Sequence, residues 1–361
     1  MAEVASAAWE SSRSIGRYFS VISMVPSLLF VLYVYGLFAA GAWSGSFEPA
    51  KALHAAGKLG VSEIVALLVA ALVLGLVLHP FQFSMTQLLE GYWEGSGIGR
   101  RLALSRILHY RGVARTLNAD AKKAEKAWRR AVRHDRAARG RLESGDPEQR
   151  KHAEIMWLDT EPGDQMLADY LRAEAARGAR SRFPVAARRT MPTRLGNVLR
   201  RYEDSAGRQY GLDILRIAPH LNLVADKEHR AYVDDCRQGL DLGVRLCVLF
   251  AIATALSLVS LASDGAWLLL SLAPYCVSYL AYRGAVSSAE AYGTALSTLI
   301  DLNRFALYEQ FHLSPPADTM AEKYRNVQLL RLVANRAPYF LEYALPPDES
   351  PPADGVTADD A

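Results

Sequence analysis

The chain of 361 residues combines 51% apolar residue types with 22% charged ones, and its formal net charge is only +3. That much apolar material beside that much charge, at a mean hydropathy close to zero, argues against an evenly mixed soluble domain and for segregated blocks. Three cysteines without a C-x-x-C pair give no basis for a disulfide framework or a cysteine-built zinc site.

Two apolar blocks open the chain, at roughly 19–42 and 61–81. Both reach the ~20 residues an α-helix needs to cross hydrocarbon. The small residues Ala40, Gly41 and Ala42 have the look of a signal-peptidase site, but the run before them is too long for a secretory h-region, so an uncleaved anchor is expected. Further on, "LNADAKKAEKAWRRAVRHDRAARGRLES" is rich in Ala, Arg, Lys and Glu and reads as helix. "GSGIGRR" lacks the preceding strand and the Lys-Ser/Thr of a phosphate-binding loop and reads as a turn. Acids interleave the basic run and Trp128 alone offers a stacking face, which disfavours nucleic acid as a partner. Asp146 and Pro147 form a helix-start signal in "GDPEQ", and "TEPGDQMLADYLRAEAARGAR" repeats that grammar.

Residues 192–213, "PTRLGNVLRRYEDSAGRQYGLD", contain the most particular pattern of the chain. Thr193 is placed to cap a helix, "AGRQYG" to break it, and Asp213 to cap the next. Leu195, Val198, Leu199 and Tyr202 fall on one side of that helix and Arg194, Asn197, Arg201, Asp204 and Arg208 on the other. Such a polar face is commonly only a solvated surface with i, i+4 pairs such as Arg200 with Asp204. Its functional reading is a ligand site for an anion or lipid headgroup formed by Arg194, Asn197, Arg201 and Arg208, because arginine forks match phosphate and carboxylate oxygens.

Two further apolar blocks, at about 242–262 and 266–286, are separated by only "SDG" and form a tight hairpin. The expected fold is therefore all-α, an integral membrane protein with four transmembrane helices in two hairpins and an α-helical cytoplasmic domain. Arg13, Arg17, Arg283 and the basic middle of the chain put both termini and that middle on the cytoplasmic side of the plasma membrane. The expected organisation is an N-terminal segment with hairpin 1 (1–83), a basic helical domain (84–240), hairpin 2 (241–286), C-terminal helices (287–340) and a disordered acidic, Pro-rich tail (341–361).

Within the spans polarity is sparse: Arg245 lies near the inner end of the third and is expected to snorkel, and ion-coupled transport would ordinarily need more. Pro26 and Pro274 are expected to kink their helices, and Gly36, Gly41, Gly75, Ala251 and Ala253 allow close packing and self-association into a homo-oligomer. His79 and Glu90 read as interfacial residues rather than a proton relay. Eight histidines are scattered without ligand spacing, so no metal site, cofactor or catalytic residue is expected. Partners are the bilayer, anionic headgroups and a protein the sequence does not identify.

The 192–213 stretch, with "HPFQFSMTQLLEGYW" after the second span and "TLIDLNRFALYEQFHL" after the fourth, resembles a group of actinobacterial multi-pass membrane proteins of unknown function over most of residues 75–315. The resemblance implies the same architecture and brings no activity, ligand or catalytic residue with it. The function expected from the residues is a non-enzymatic inner-membrane protein whose cytoplasmic helices serve as scaffold, sensor or effector. The alternative is an oligomeric channel or pore gated by those helices.

Overall fold

The computed structural model describes residues 24–43, 45, 47–134 and 163–344. The expectations for Arg13 and Arg17, for "GDPEQ" and for the acidic tail from 345 onward lie outside the described residues. Among those described, the chain is helical and forms no strand beyond an isolated antiparallel bridge between Leu313 and Tyr343. In order, the helices are α1 (Val25–Ala39), α2 (Pro49–Gly57), α3 (Val61–Leu78), α4 (Gln82–Glu90), α5 (Gly97–His134), α6 (Gly163–Ser181), α7 (Arg194–Ser205), α8 (Ile214–Val224), α9 (Lys227–Ser260), α10 (Leu272–Gln310) and α11 (Thr319–Val333).

Three helical runs are long and apolar enough to cross a membrane: Val61–Glu90, Lys227–Ser260 and Gly265–Gln310. The first comprises α3, a 3-10 turn at His79–Phe81 and α4. That turn has a local cause, since Pro80 has no N–H to give to the carbonyl four residues back and the His79 N–H bonds Leu76 instead. The first expected span appears among the described residues as α1, 15 residues long. Pro26 is the second residue of α1, and Pro274 is the third of α10, directly after the 3-10 stretch Gly265–Ser271.

The chain divides into two compact units. One holds residues 1–202 and 235–292, the other 203–234 and 293–361.

In the first unit α1 packs on α3, where Ala71 and Gly75 are buried. α9 and α10 approach closely at Gly243, whose absent Cβ would stand 3.0 Å from the Ala285 Cβ, and at Gly239 beside Ser288. Of the small residues expected at contacts, Gly75 and Ala253 are buried, whereas Ala251 is exposed and Gly36 faces open space. The connection after α1 meets the connection between α9 and α10 through Leu37, Ala40, Ala42, Phe47 and Leu261. There the Phe47 N–H donates to Asp264 Oδ1 at 3.2 Å and its ring tilts on Trp267. A second core, of Met85, Leu195, Val198, Leu240, Val244, Ala285 and Ala289, joins α4, α7, α9 and α10. Long α5 lies along α6, with Trp128 against Tyr170.

The second unit joins α8, α11 and the later part of α10. Leu299, Ile300 and Leu307 are buried, while Phe305 is 45% exposed. Burial, followed by the nearby Glu322 carboxylate, pushes the Tyr308 phenol up to about 12, and its O–H donates to Asn326 at 2.7 Å. Gly207 ends α7 with φ at 75°, in the left-handed region that a side chain disfavours, and Asp213 caps α8 by accepting from the Leu215 N–H at 3.1 Å. Asp318 caps α11 more fully, accepting from the N–H groups of Met320 and Ala321, both at 2.8 Å. Asp318→Ala is expected to destabilise that helix by about 1 kcal/mol, read as faster amide exchange at Met320 and Ala321 with α8 unaffected.

Candidate functional site

The start of α7 is fixed by side chains. Thr193 Oγ1 accepts from the Gly196 N–H at 3.0 Å, which is the expected cap, and donates to the Glu90 carbonyl at 2.8 Å. The Tyr282 hydroxyl, from α10, accepts from the N–H groups of Arg194 and Leu195 at 3.2 and 3.3 Å. Gly196 is required here, because a Cβ would stand 2.2 Å from the Glu90 carbonyl oxygen. The backbone donors that open α7 are thereby engaged, which matters for where an anion finds partners.

The four residues expected to form a ligand site have different surroundings. Arg194 is exposed, and its guanidinium has no partner among the described residues. Asn197 is turned inward at 1% exposure. Its amide accepts from the Met191 N–H at 2.9 Å and donates to the Met191 and Thr193 carbonyls at 2.9 and 2.6 Å, bracing the chain before the helix. Arg201 donates from Nε to the Ser181 carbonyl at 3.1 Å. Arg208 belongs to the second unit, in a 3-10 turn at Arg208–Tyr210, and is exposed. Arg200 donates to the Tyr92 hydroxyl at 2.6 Å.

Two cavities flank α7 within the first unit. The larger, of about 860 Å³, is lined by Arg194 and Asn197 together with Arg106, His109 and Tyr110 of α5, Arg182 and Phe183, and Tyr279, Tyr282, Arg283 and Glu290 of α10. The smaller, of about 400 Å³, is lined by Arg201 and Tyr202. Arg182, Val198 and Glu290 form part of both linings, and Arg182 Nε ion-pairs with Glu290 Oε1 at 2.7 Å. Burial, with the Arg201 charge adding to it, pulls the nearby Arg180 guanidinium below its ordinary value. The stretch is thus a concentration of positive charge around a cavity, not one flat helix face.

Arg245 departs from expectation. Its side chain does not snorkel to the surface; it is 1% exposed. Nε donates to Gln82 Oε1 at 3.1 Å, and Gln82 Nε2 donates to the Asp241 carbonyl and Oδ1 at 3.1 and 3.3 Å. Asp241, 6% exposed, lies 3.9 Å from Arg237. A charged group in low dielectric persists only when polar atoms surround it, and the 3-10 turn at His79–Phe81 brings Gln82 to that place.

Sequence reasoning missed Arg106, Tyr110, Tyr279, Tyr282 and Arg283. The local signal was present, since Arg106 with Tyr110 and Tyr279 with Arg283 each pair a guanidinium with a phenol one turn away, at 3.1 and 3.4 Å. Nothing in the spacing shows that both pairs line one cavity. Among the described residues no group of three or more His, Cys, Asp or Glu is placed to hold a metal ion. No protein-family model, curated protein or solved structure matches the chain.

Proposed function

We propose that this chain is a four-span plasma-membrane protein, with both termini and the basic helices in the cytoplasm, that works without catalysis as a scaffold, sensor or effector through contacts with protein or anionic lipid. In this reading it belongs with the actinobacterial multi-pass proteins its three stretches resemble. One observation carries it: two of the three long apolar runs stand largely bare. Only 11% of the most apolar stretch of Val61–Glu90 and 17% of that of Gly265–Gln310 is buried, and α3 exposes Ile64, Val65, Leu68, Val69, Val73, Leu76 and Val77 around its circumference. So much continuous apolar surface is stable against hydrocarbon, not water.

The connections support the two-hairpin arrangement. The turns expected outside the cell meet through Phe47 and Leu261, and the segments expected inside meet through Met85, Leu195 and Leu240. α10 runs 39 residues without a break, about 60 Å at 1.5 Å per residue, twice the ~30 Å hydrocarbon thickness. A helix of that length reaches beyond the hydrocarbon, which suits a sensor or scaffold.

Reconstitution separates this reading from the oligomeric channel. Folded full-length protein in liposomes holding a potassium gradient is expected to leave that gradient intact over the time in which a known ionophore collapses it. Collapse proportional to protein content would establish conduction and overturn the non-conducting reading.

A further inference from the structure

We propose that the 860 Å³ cavity beside α7 binds the phosphate group of an anionic amphiphile or organic phosphate, with Arg106, Arg194 and Arg283 as its donors. This rests on the membrane reading above and names the ligand class of that same region.

Charge gives the first argument. Four arginines line the cavity against one carboxylate, Glu290, and Arg182 already engages that carboxylate at 2.7 Å. Arg106, Arg194 and Arg283 therefore share a concave space with no further acid among the described residues. Two of the three are held by neutral groups: Arg106 lies 5.0 Å from the Tyr110 ring centre and bonds its hydroxyl, and Arg283 bonds the Tyr279 hydroxyl. Phenols orient a guanidinium without neutralising it, so the positive field of the cavity remains and its relief requires an anion.

Donor supply gives the second. Thr193 and Tyr282 already engage the N–H groups at the start of α7, so a bound oxyanion meets guanidinium forks and not a helix end. Forks match phosphate oxygens in two-point geometry. Volume and lining give the third. The space falls within the 300–1,000 Å³ of small-molecule sites and is amphipathic, with Phe183, Tyr282 and Val286 beside the arginines. Tyr279 and Leu280, toward the expected inner end of the fourth span, are exposed. In the proposed orientation this is the inner headgroup level, where tyrosine and arginine anchor spans. A phosphate at the arginines would leave acyl chains running outward along α10.

The test uses full-length protein in neutral detergent and native mass spectrometry. Phosphatidylglycerol is one probe, phosphatidylcholine the zwitterionic control, and glycerol 3-phosphate the soluble competitor. Wild type is expected to retain phosphatidylglycerol over phosphatidylcholine, and each of Arg106→Gln, Arg194→Gln and Arg283→Gln to weaken it by about tenfold. The exposed pair Arg100→Gln and Arg101→Gln removes comparable charge outside the cavity and is expected to leave binding unchanged. Arg194→Gln, which breaks no side-chain bond among the described residues, carries the result should the other variants lose helix content. Displacement by glycerol 3-phosphate with the same arginine dependence supports the site and makes its ligand a soluble phosphate; absence of displacement supports a lipid ligand. Equal retention by wild type and the Arg194 variant, or equal loss in the Arg100/Arg101 control, overturns the site. Carbonate extraction of the membranes from which each variant is purified keeps the two claims apart: protein that stays in membranes yet shows no arginine-dependent binding refutes the cavity alone.

Discussion

Gly196→Val is expected to destabilise the detergent-solubilised protein by about 3 kcal/mol or more, and Gly196→Ala by nearly as much. The first atom added is the damaging one, since a Cβ at position 196 would stand 2.2 Å from the Glu90 carbonyl oxygen and 2.9 Å from the Met191 Cβ. Both neighbours are held. The Glu90 carbonyl accepts from Thr193, and Met191 is tied to the Asn197 amide through its N–H and carbonyl. Relief would pull α7 off α4 and open the core of Met85, Leu195 and Val198. Gly112→Ala, in a helix position with nothing within 4 Å of the new atom, provides the contrast, with an expected gain of about 0.5–1 kcal/mol from reduced backbone freedom in the unfolded chain. Denaturation of the three variants under one detergent condition checks the sign as well as the size. Equal stability of Gly196→Val and wild type would mean that α7 does not enter against α4 as described.

The second large effect is expected at Gln82. Gln82→Leu leaves the buried Arg245 guanidinium without its 3.1 Å acceptor and removes the donor that bonds Asp241, an expected loss of about 3 kcal/mol. Gln82→Leu combined with Arg245→Met replaces the polar contact by apolar packing of similar volume. The pair is expected to be more stable than Gln82→Leu alone, because the buried charge that lost an acceptor is gone. A double-mutant cycle in the same denaturation experiment measures that coupling. Strict additivity of the two substitutions would show that Gln82 and Arg245 do not interact.

The same two places show what the sequence reveals and what it withholds. Apolar runs and the Thr193, Asp213 and glycine signals around α7 and α8 are local patterns written within one or two helical turns, and they could be read directly. Arg245 could not. Its proximity to an end of an apolar run suggests escape to water, and only the packing of α3, α4 and α9 decides that Gln82 meets it inside. Asn197 failed in the same manner, since a short amide at a polar helix position looks solvated until the Met191 backbone folds back over it. The cavity was the least legible feature, because Arg106, Arg194 and Arg283 come from three separated stretches. Glycine pairing was also concealed: Gly239 and Gly243 matter through Ser288 and Ala285 on the facing helix, a partner that composition does not name.

The central claim is the threading of these helices through a membrane with the basic region inside, and side-specific thiol labelling of intact cells tests it most directly. With Cys236, Cys247 and Cys276 replaced by serine, one variant carries Leu53→Cys, in the exposed α2 connection, and another Lys122→Cys, on exposed α5. A membrane-impermeant maleimide is predicted to label the Leu53 variant without lysis and the Lys122 variant only after the cells are opened. Labelling of the Lys122 variant in intact cells, with the Leu53 variant protected, would contradict the orientation and with it the inward-facing arginine cavity.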